Sequence, residues 1–337
     1  MRARGAALGW PAVAGVAGAL VVAAAVPFWF SSYWVTVGID VCVFAILGVS
    51  YNLLLGRIGL FSLGHALLFG IAGYMVANLT ARSGLPLLPA AVVAVVASAA
   101  VAAVTGLVAA GVRGIYFAMM TLAFAQVGFV LAETDAAGFS GGEDGLAMSG
   151  IPELININVR QDALYWLALG TLVVVLVVVA VIRASAAGRL WNAVRENDVR
   201  AAALGIDVRR QRVVAYSVAG ALAGVAGVLF ALSVQTVTPS TMSVGITVQA
   251  LLITVIGGTG TFWGPVVGAL FVRTSTPLLD ELADTGFVQD MSAPLERAVT
   301  SQPLVLGVLY ILFVLFLPAG VVGAAAQVRR RFSRAPA

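Results

Sequence analysis

The sequence predicts an all-α, polytopic membrane protein of about ten helices, some short or broken. It also predicts an internal repeat and one cytoplasmic coupling helix. Three observations lead there. Of 337 residues, 61% are hydrophobic and only 10% are charged, whereas a soluble domain carries about a quarter charged residues. The apolar runs are long, as bilayer-spanning helices require, and lack the short alternation of barrel strands. The arginines gather at the ends of those runs and in loops, as expected of membrane anchors.

The elements follow in order. MRARGAALGW and the apolar run behind it have the outline of a signal peptide, but the run ends in Phe28, Trp29 and Phe30 rather than in a small-residue cleavage site. Residues 11–30 are therefore read as a retained first span. Runs of spanning length give further helices at 34–55, 58–80, 86–110, 114–132, 163–182 and 211–235, and a last one at 302–318. Residues 1–337 are read as a single transmembrane domain. The 133–162 and 277–298 loops carry most of the acidic residues.

Arginine placement sets the sides. Arg2, Arg4, Arg57, Arg113 and the loop at 183–212 fall inside, with Arg329, Arg330, Arg331 and Arg334 of the tail; Arg82 and the two acidic loops fall outside. Both termini are then cytoplasmic in a multi-pass membrane protein. Parity requires 243–276 to leave and re-enter from the outer side. Gly257, Gly258, Gly260 and Gly264-Pro265 allow it as two short helices, 243–256 and 262–276, joined by a glycine turn. A matching glycine-rich stretch, GRIGLFSLGHALLFGIAG at 56–73, lies early in the chain. Paired interruptions of this kind mark transporters built from repeats with broken helices along the pathway; close packing through small residues is the alternative. Asn52, Ser62, Gly64, His65, Gly257, Gly258 and Gly260 are the pathway candidates these stretches supply. His65, the single histidine, is either a functional intramembrane group or a neutral donor to a neighbouring helix.

Several function classes are excluded. The chain has no lysine, so it lacks the P-loop residue that holds nucleotide phosphates. Cys42 is alone, and no cysteine–histidine cluster, paired carboxylates or nucleophile–base pair points to a metal site or an enzyme. The net charge of +4 belongs to membrane anchoring rather than to nucleic acid. No cofactor is expected on this chain.

The organising stretch is 183–212. Arg183, Arg189, Arg195, Arg200, Arg209, Arg210 and Arg212 outweigh Glu196, Asp198 and Asp207. Leu190, Val194, Ala201 and Leu204 fall on one face of a predicted helix over 188–205, with Asn197 interrupting the stripe and Glu196–Arg200 as an i,i+4 pair. Gly205 suits the C′ position and Asp207 the cap of the next helix. An amphipathic cytoplasmic helix docks on a protein partner or lies on lipid headgroups; its alanine-rich apolar face and central acids favour a protein.

GRLWNAVRENDVRAAALGID resembles the coupling loop of LivM-type permease subunits of branched-chain amino-acid ABC transporters. YNLLLGRIGLFSLGHALLFGIAGY (51–74), GIYFAMMTLAFAQV (114–127), FSGGEDGL (139–146) and VIGGTGTFWGPVVGA (255–269) resemble further motifs of that family, in the same order. Urea and short-chain amide permeases are similar. The resemblance implies a subunit that carries Leu, Ile or Val. Its partners would be a second homologous permease, two P-loop ATPases holding ATP and Mg, and an external substrate-binding protein. It implies ATPase coupling through Arg189, Trp191, Arg195, Glu196, Asn197, Ala201, Leu204 and Gly205, and adds Tyr116, Thr121 and Gln126 to the pathway candidates. Gln126 stands where the family usually has an acid. A stand-alone ion-coupled transporter is the alternative, and it would need an intramembrane acid, for which Asp40 and Glu133 are the nearest candidates.

Overall fold

The structure is a computed structural model that describes residues 31–136 and 138–283, with 27, 29 and scattered positions between 305 and 324. The predicted span at 11–30, most of the one at 302–318, the arginine tail and most of the acidic 277–298 loop lie outside the described residues.

The described chain is an all-α bundle. Helix α1 (Ser32–Leu53) continues through a π-helical turn, Leu54–Ile58, and breaks. Helix α2 is His65–Ala81, α3 is Leu87–Ala109, α4 is Ile115–Glu133 and α5 is Gln161–Ala184. Two short helices follow, α6 (Ala186–Glu196) and α7 (Asp198–Ala203). Helix α8 is Val208–Val234, α9 is Val244–Gly257 and α10 is Gly264–Ala283. Among the described residues, five helices (the first being Ser32–Ile58, with α3, α4, α5 and α8) are long and apolar enough to cross a membrane, and α2 and α9 are shorter apolar helices.

Helix α1 is the hub. It is buried along its inner half and packs against α5, α8, α9 and α10. Helices α2, α3 and α8 pack through small residues. The Ser98 hydroxyl is shared between the Leu68 and Gly220 carbonyls at 2.9 and 2.8 Å, and a Cβ on Gly227 would lie 2.0 Å from the Phe69 carbonyl oxygen. Contacts this close let backbone and hydroxyl satisfy one another inside the bundle.

The end of the bundle away from α6 and α7 is tied by loop structure. Strand β1 (Leu146–Ala147) pairs antiparallel with β2 (Thr236–Val237), Leu146 opposite Val237. After β2 the chain runs through a 3₁₀ turn, Pro239–Met242, with Val237, Thr241 and Met242 buried. Met242 meets Gly70, and Thr247 meets Ala66. Non-helical backbone at this depth is tolerable only inside protein, which is where it lies.

Three expectations are corrected. The predicted span 58–80 starts at His65, because residues 59–64 are non-helical. The helix before it runs to Ile58 rather than to residue 55. The single cytoplasmic helix over 188–205 is two helices, because Asn197 (φ −162°, ψ 103°) leaves helical geometry and turns its side chain to the Arg200 N–H. The split at 243–276 agrees with expectation: α9 and α10 flank a glycine turn.

Candidate functional site

The two glycine breaks meet. A Cβ on Gly56 would lie 2.7 Å from the Gly260 nitrogen. Asn52 stitches them: its side chain accepts from the Gly260 N–H and donates to the Thr261 carbonyl, both at 2.7 Å. The first break is terminated by Gly59 at φ +77°, a region open to glycine, and Leu60 N–H returns to the Leu54 carbonyl at 3.2 Å. In the second, a Cβ on Gly257 would sit 1.8 Å from the Gly264 carbonyl oxygen, so only glycine lets α9 and α10 close so tightly.

Helix α6 is bolted to this junction. Arg195 donates to the Gly56 carbonyl, and its side chain also lies against Gly59 and Gly260. Arg57 donates to Asn192 Oδ1 at 3.4 Å, and Arg183 to the Gly260 carbonyl at 3.3 Å. Ser185 caps α6 by accepting from Gly188 N–H, so α6 begins two residues before Gly188. Trp191 is 1% exposed and donates to Gln211 Oε1 at 3.2 Å, fastening α6 to α8.

Helix α7 is held separately. Asp198 pairs with Arg212 at 2.9 Å and with Arg113 at 3.3 Å. Arg209 and Arg212 also donate to the Leu107 and Ala110 carbonyls at the end of α3, filling orphan acceptors of its last turn. Gly205 (φ +83°) ends α7 with Ile206 N–H on the Ala201 carbonyl and Gly205 N–H on that of Ala202, a Schellman arrangement. Asp207 caps α8 on Arg210 N–H at 3.0 Å. The roles expected of Gly205 and Asp207 as caps are those observed.

The break before α2 is sealed by side chains of other helices. Thr121 accepts from Leu63 N–H at 3.0 Å, Ser62 from Gly64 N–H at 3.1 Å, and Thr247 from Ala66 N–H at 2.9 Å. Tyr51 donates to the Ser62 carbonyl at 3.0 Å. These groups have no intrahelical partner and no water to turn to. His65 is fully buried, edge-on to Tyr51 at 4.9 Å between ring centroids. The Ser50 hydroxyl gives its proton to the Ala219 carbonyl at 2.6 Å, so His65 Nε2, 3.2 Å from Ser50 Oγ, is the donor and His65 is the neutral Nε2–H tautomer. This matches the reading of a donor to a neighbouring helix.

Thus Asn52, Gly257, Gly258 and Gly260 lie together at the junction, and Ser62, Gly64, His65 and Thr121 around the start of α2. Tyr116 (67% exposed) and Gln126 lie apart from both groups, on the open face of α4. In the block of α6, α7 and the turn that follows, Arg189, Glu196, Asn197, Leu204 and Gly205 are exposed. Trp191 and Ala201, at 1% and 2% exposure, are internal, and Leu204, expected on the buried stripe, is 75% exposed. The break at Asn197 resets the helical phase, which moves Leu204 outward. It also removes the expected Glu196–Arg200 pair: the ion pairs among the described residues are those of Asp198 with Arg113 and Arg212, and Arg273–Asp40.

Arg273 was legible as a charge inside an apolar run, which is a signal in its own right, yet it escaped the sequence reading. Its Nε donates to Asp40 at 2.6 Å, Nη2 to the same oxygen, and Nη1 to Gln249 at 3.2 Å, with the guanidinium 4.1 Å from the Phe44 ring centroid. Asp40, a candidate acid for an ion-coupled transporter, is therefore paired with an arginine of α10. In the loop after α4, Asp135 (φ +46°) accepts from the Ser140 backbone N–H and hydroxyl at 2.7 and 2.9 Å; these bonds, the backbone one first, hold its carboxyl below the usual aspartate value.

The profile of the family described as "Branched-chain amino acid transport system / permease component" matches residues 33–317. The high-affinity branched-chain amino acid transport system permease protein LivM of Escherichia coli (strain K12) is 27% identical over 284 residues, covering 77% of this chain and 67% of that protein. LivM of Salmonella typhimurium (strain LT2) gives the same identity and coverage. The autoinducer 2 import system permease protein LsrC of Enterobacter sp. (strain 638) is 32% identical over 133 residues, 37% of this chain and 38% of that protein. No solved structure matches the chain significantly. The family match covers both glycine breaks, helices α6 and α7 and the helices that hold them, and the chain belongs to the branched-chain amino acid transport system permease family.

Proposed function

We propose that this chain is the membrane-spanning permease subunit of an ATP-driven importer that carries Leu, Ile or Val. In this reading it works beside a second, homologous permease. Two P-loop ATPases bind ATP and Mg, and an external binding protein delivers the solute. The arginine-rich end, with both termini, faces the cytoplasm, following the positive-inside rule. The chain has no lysine with which to build its own P-loop, so the motor lies on another polypeptide.

The observation that carries the reading is Arg195. It stands on the cytoplasmic helix α6 and grips the Gly56 carbonyl where the two breaks meet. A partner that pushes α6 and α7 would move the junction with them, because α6 has no slack: Trp191, Arg57 and Arg195 tie it on three sides. Rigid-body displacement of this kind is a common route to alternating access. The exposed Val199 and Leu204, at 64% and 75%, with Glu196 and Arg200, form the surface offered to the ATPase. The open face of α4, with Tyr116 and Gln126, is assigned to the translocation pathway.

The test is uptake by proteoliposomes holding the full chain with its co-expressed permease, ATPases and binding protein. Labelled leucine is expected to accumulate with internal or external ATP only on the ATPase side, and urea is not. Uptake of urea without leucine would replace the substrate, and leucine uptake by this chain alone under an ion gradient would overturn the ATP-driven reading.

A further inference from the structure

Three guanidiniums crowd the arginine-rich end of the bundle without a counter-charge. Arg57 and Arg183 line one cleft, with Asn52, Phe262 and the aliphatic Val49 and Leu53. Arg183 stacks 5.2 Å from the Phe262 ring centroid. Arg195 lies against Gly260, the glycine whose carbonyl takes Arg183. Arg195 is close enough to repel Arg57, and Arg57 to repel Arg183. None of the ion pairs among the described residues includes any of the three. Their partners are neutral: carbonyl oxygens of Gly56 and Gly260 and the Asn192 amide. Arg57 Nε is buried and has no partner at all.

This contrasts with the neighbouring arginines. Arg113 and Arg212 share Asp198, and Arg273 has Asp40. For these three the fold supplies a carboxylate. At the cleft it supplies a planar donor with an idle N–H, a second one held by an aromatic face, and an apolar wall. Like charges at such range are unfavourable unless an anion sits between them, and guanidinium forks match tetrahedral oxyanions with paired hydrogen bonds.

We propose that Arg57 and Arg183, closed over by Arg195, form a phosphate-binding site at the arginine-rich end of the bundle. The phosphate comes either from an acidic phospholipid headgroup, as in basic pockets between membrane helices, or from free phosphate. Its negative charge neutralises the cluster next to the junction of the two breaks, so the bound group holds α1, α5 and the 258–263 turn together. The site shares Arg195 with the proposed coupling contact and Asn52 with the junction, but the ligand is a phosphate and not the transported solute.

The experiment uses the full chain in nanodiscs and reads thermal unfolding and, by native mass spectrometry, retained lipid. Three preparations are compared: phosphatidylglycerol, phosphatidylcholine, and phosphatidylcholine with added inorganic phosphate against chloride at equal ionic strength. A higher midpoint and retained lipid in phosphatidylglycerol alone identifies the headgroup as the source. A higher midpoint with inorganic phosphate in phosphatidylcholine identifies the free ion. Arg57→Gln and Arg183→Gln are each expected to weaken binding by about tenfold, one charge-assisted contact, whereas Arg113→Gln leaves it unchanged. The proposal is overturned if wild-type chain responds to neither source, which needs no variant to fold, or if Arg57→Gln and Arg183→Gln keep the full response.

Discussion

Asn52 and Gly260 are 208 residues apart in the chain and joined by a 2.7 Å hydrogen bond from the Gly260 N–H to the Asn52 amide oxygen. With its other arm Asn52 holds the Thr261 carbonyl. One side chain at the end of α1 therefore satisfies two backbone groups of the turn between α9 and α10. Asn52→Ala leaves a donor and an acceptor without partners, at about 1–3 kcal/mol for each group. Asn52→Asp keeps the acceptor and loses the donor. Thermal unfolding of the purified chain should rank wild type above Asn52→Asp above Asn52→Ala; equal midpoints would mean the stitch contributes nothing.

Arg195 and Leu204 should separate two steps of coupling. Arg195→Ala removes the grip on the Gly56 carbonyl and leaves the exposed surface of α7 untouched. The ATPases should co-purify as with wild type, while ATP hydrolysis no longer rises with loaded binding protein. Leu204→Glu places a charge on a surface 75% exposed in the chain and should cut ATPase retention by about tenfold, a weakening of about 1.4 kcal/mol. The reverse pattern would exchange the roles of the two residues.

The seal at the start of α2 can be opened one hydroxyl at a time. Thr247→Val and Thr121→Val keep volume but strand the Ala66 and Leu63 N–H groups, each at a cost of about 1–3 kcal/mol. Thr→Ser at either site should recover most of that loss. Midpoints in detergent decide it, and a valine variant as stable as its serine counterpart would show that the hydroxyl is not the sealing group.

Asp135 gives the outer loop a pH dependence. Its native carboxyl titrates below the ordinary aspartate value because Ser140 donates to it twice. The contribution to stability is complete above about pH 4, where an unfolded aspartate is ionised, and is lost as pH falls through the lower native value. Asp135→Asn should remove that acid-side dependence while tolerating the left-handed backbone; Asp135→Ala should lose both loop order and dependence. Hydrogen exchange of 135–142 against pH reads both, and an unchanged profile in Asp135→Asn would assign the dependence elsewhere.

Much of this architecture is legible in the chain. The two glycine breaks, the cap at Asp207 and the αL residue Gly205 follow from local stereochemistry, and each is found near the predicted place. Leu204 and Trp191 were not legible as they stand. Continuing one helical period from 188 to 205 buries Leu204, yet Asn197 satisfies Arg200 N–H with its own side chain and restarts the phase. Arg273 and Asp40 were each visible as charges within or near apolar runs, but nothing in the sequence says that they face one another.

The sequence by itself determined that the chain lives in lipid, where it breaks, which end is basic and that no P-loop is present, because hydropathy, glycine geometry and residue identity are local properties. Only the tertiary structure decided that the two breaks touch, that Asn52 joins them, and that Arg195 carries helix α6 to their meeting point. Those contacts join residues separated by more than a hundred positions. They form because polar backbone inside a bundle must find its partner within the protein, and which partner it finds depends on how all the helices pack.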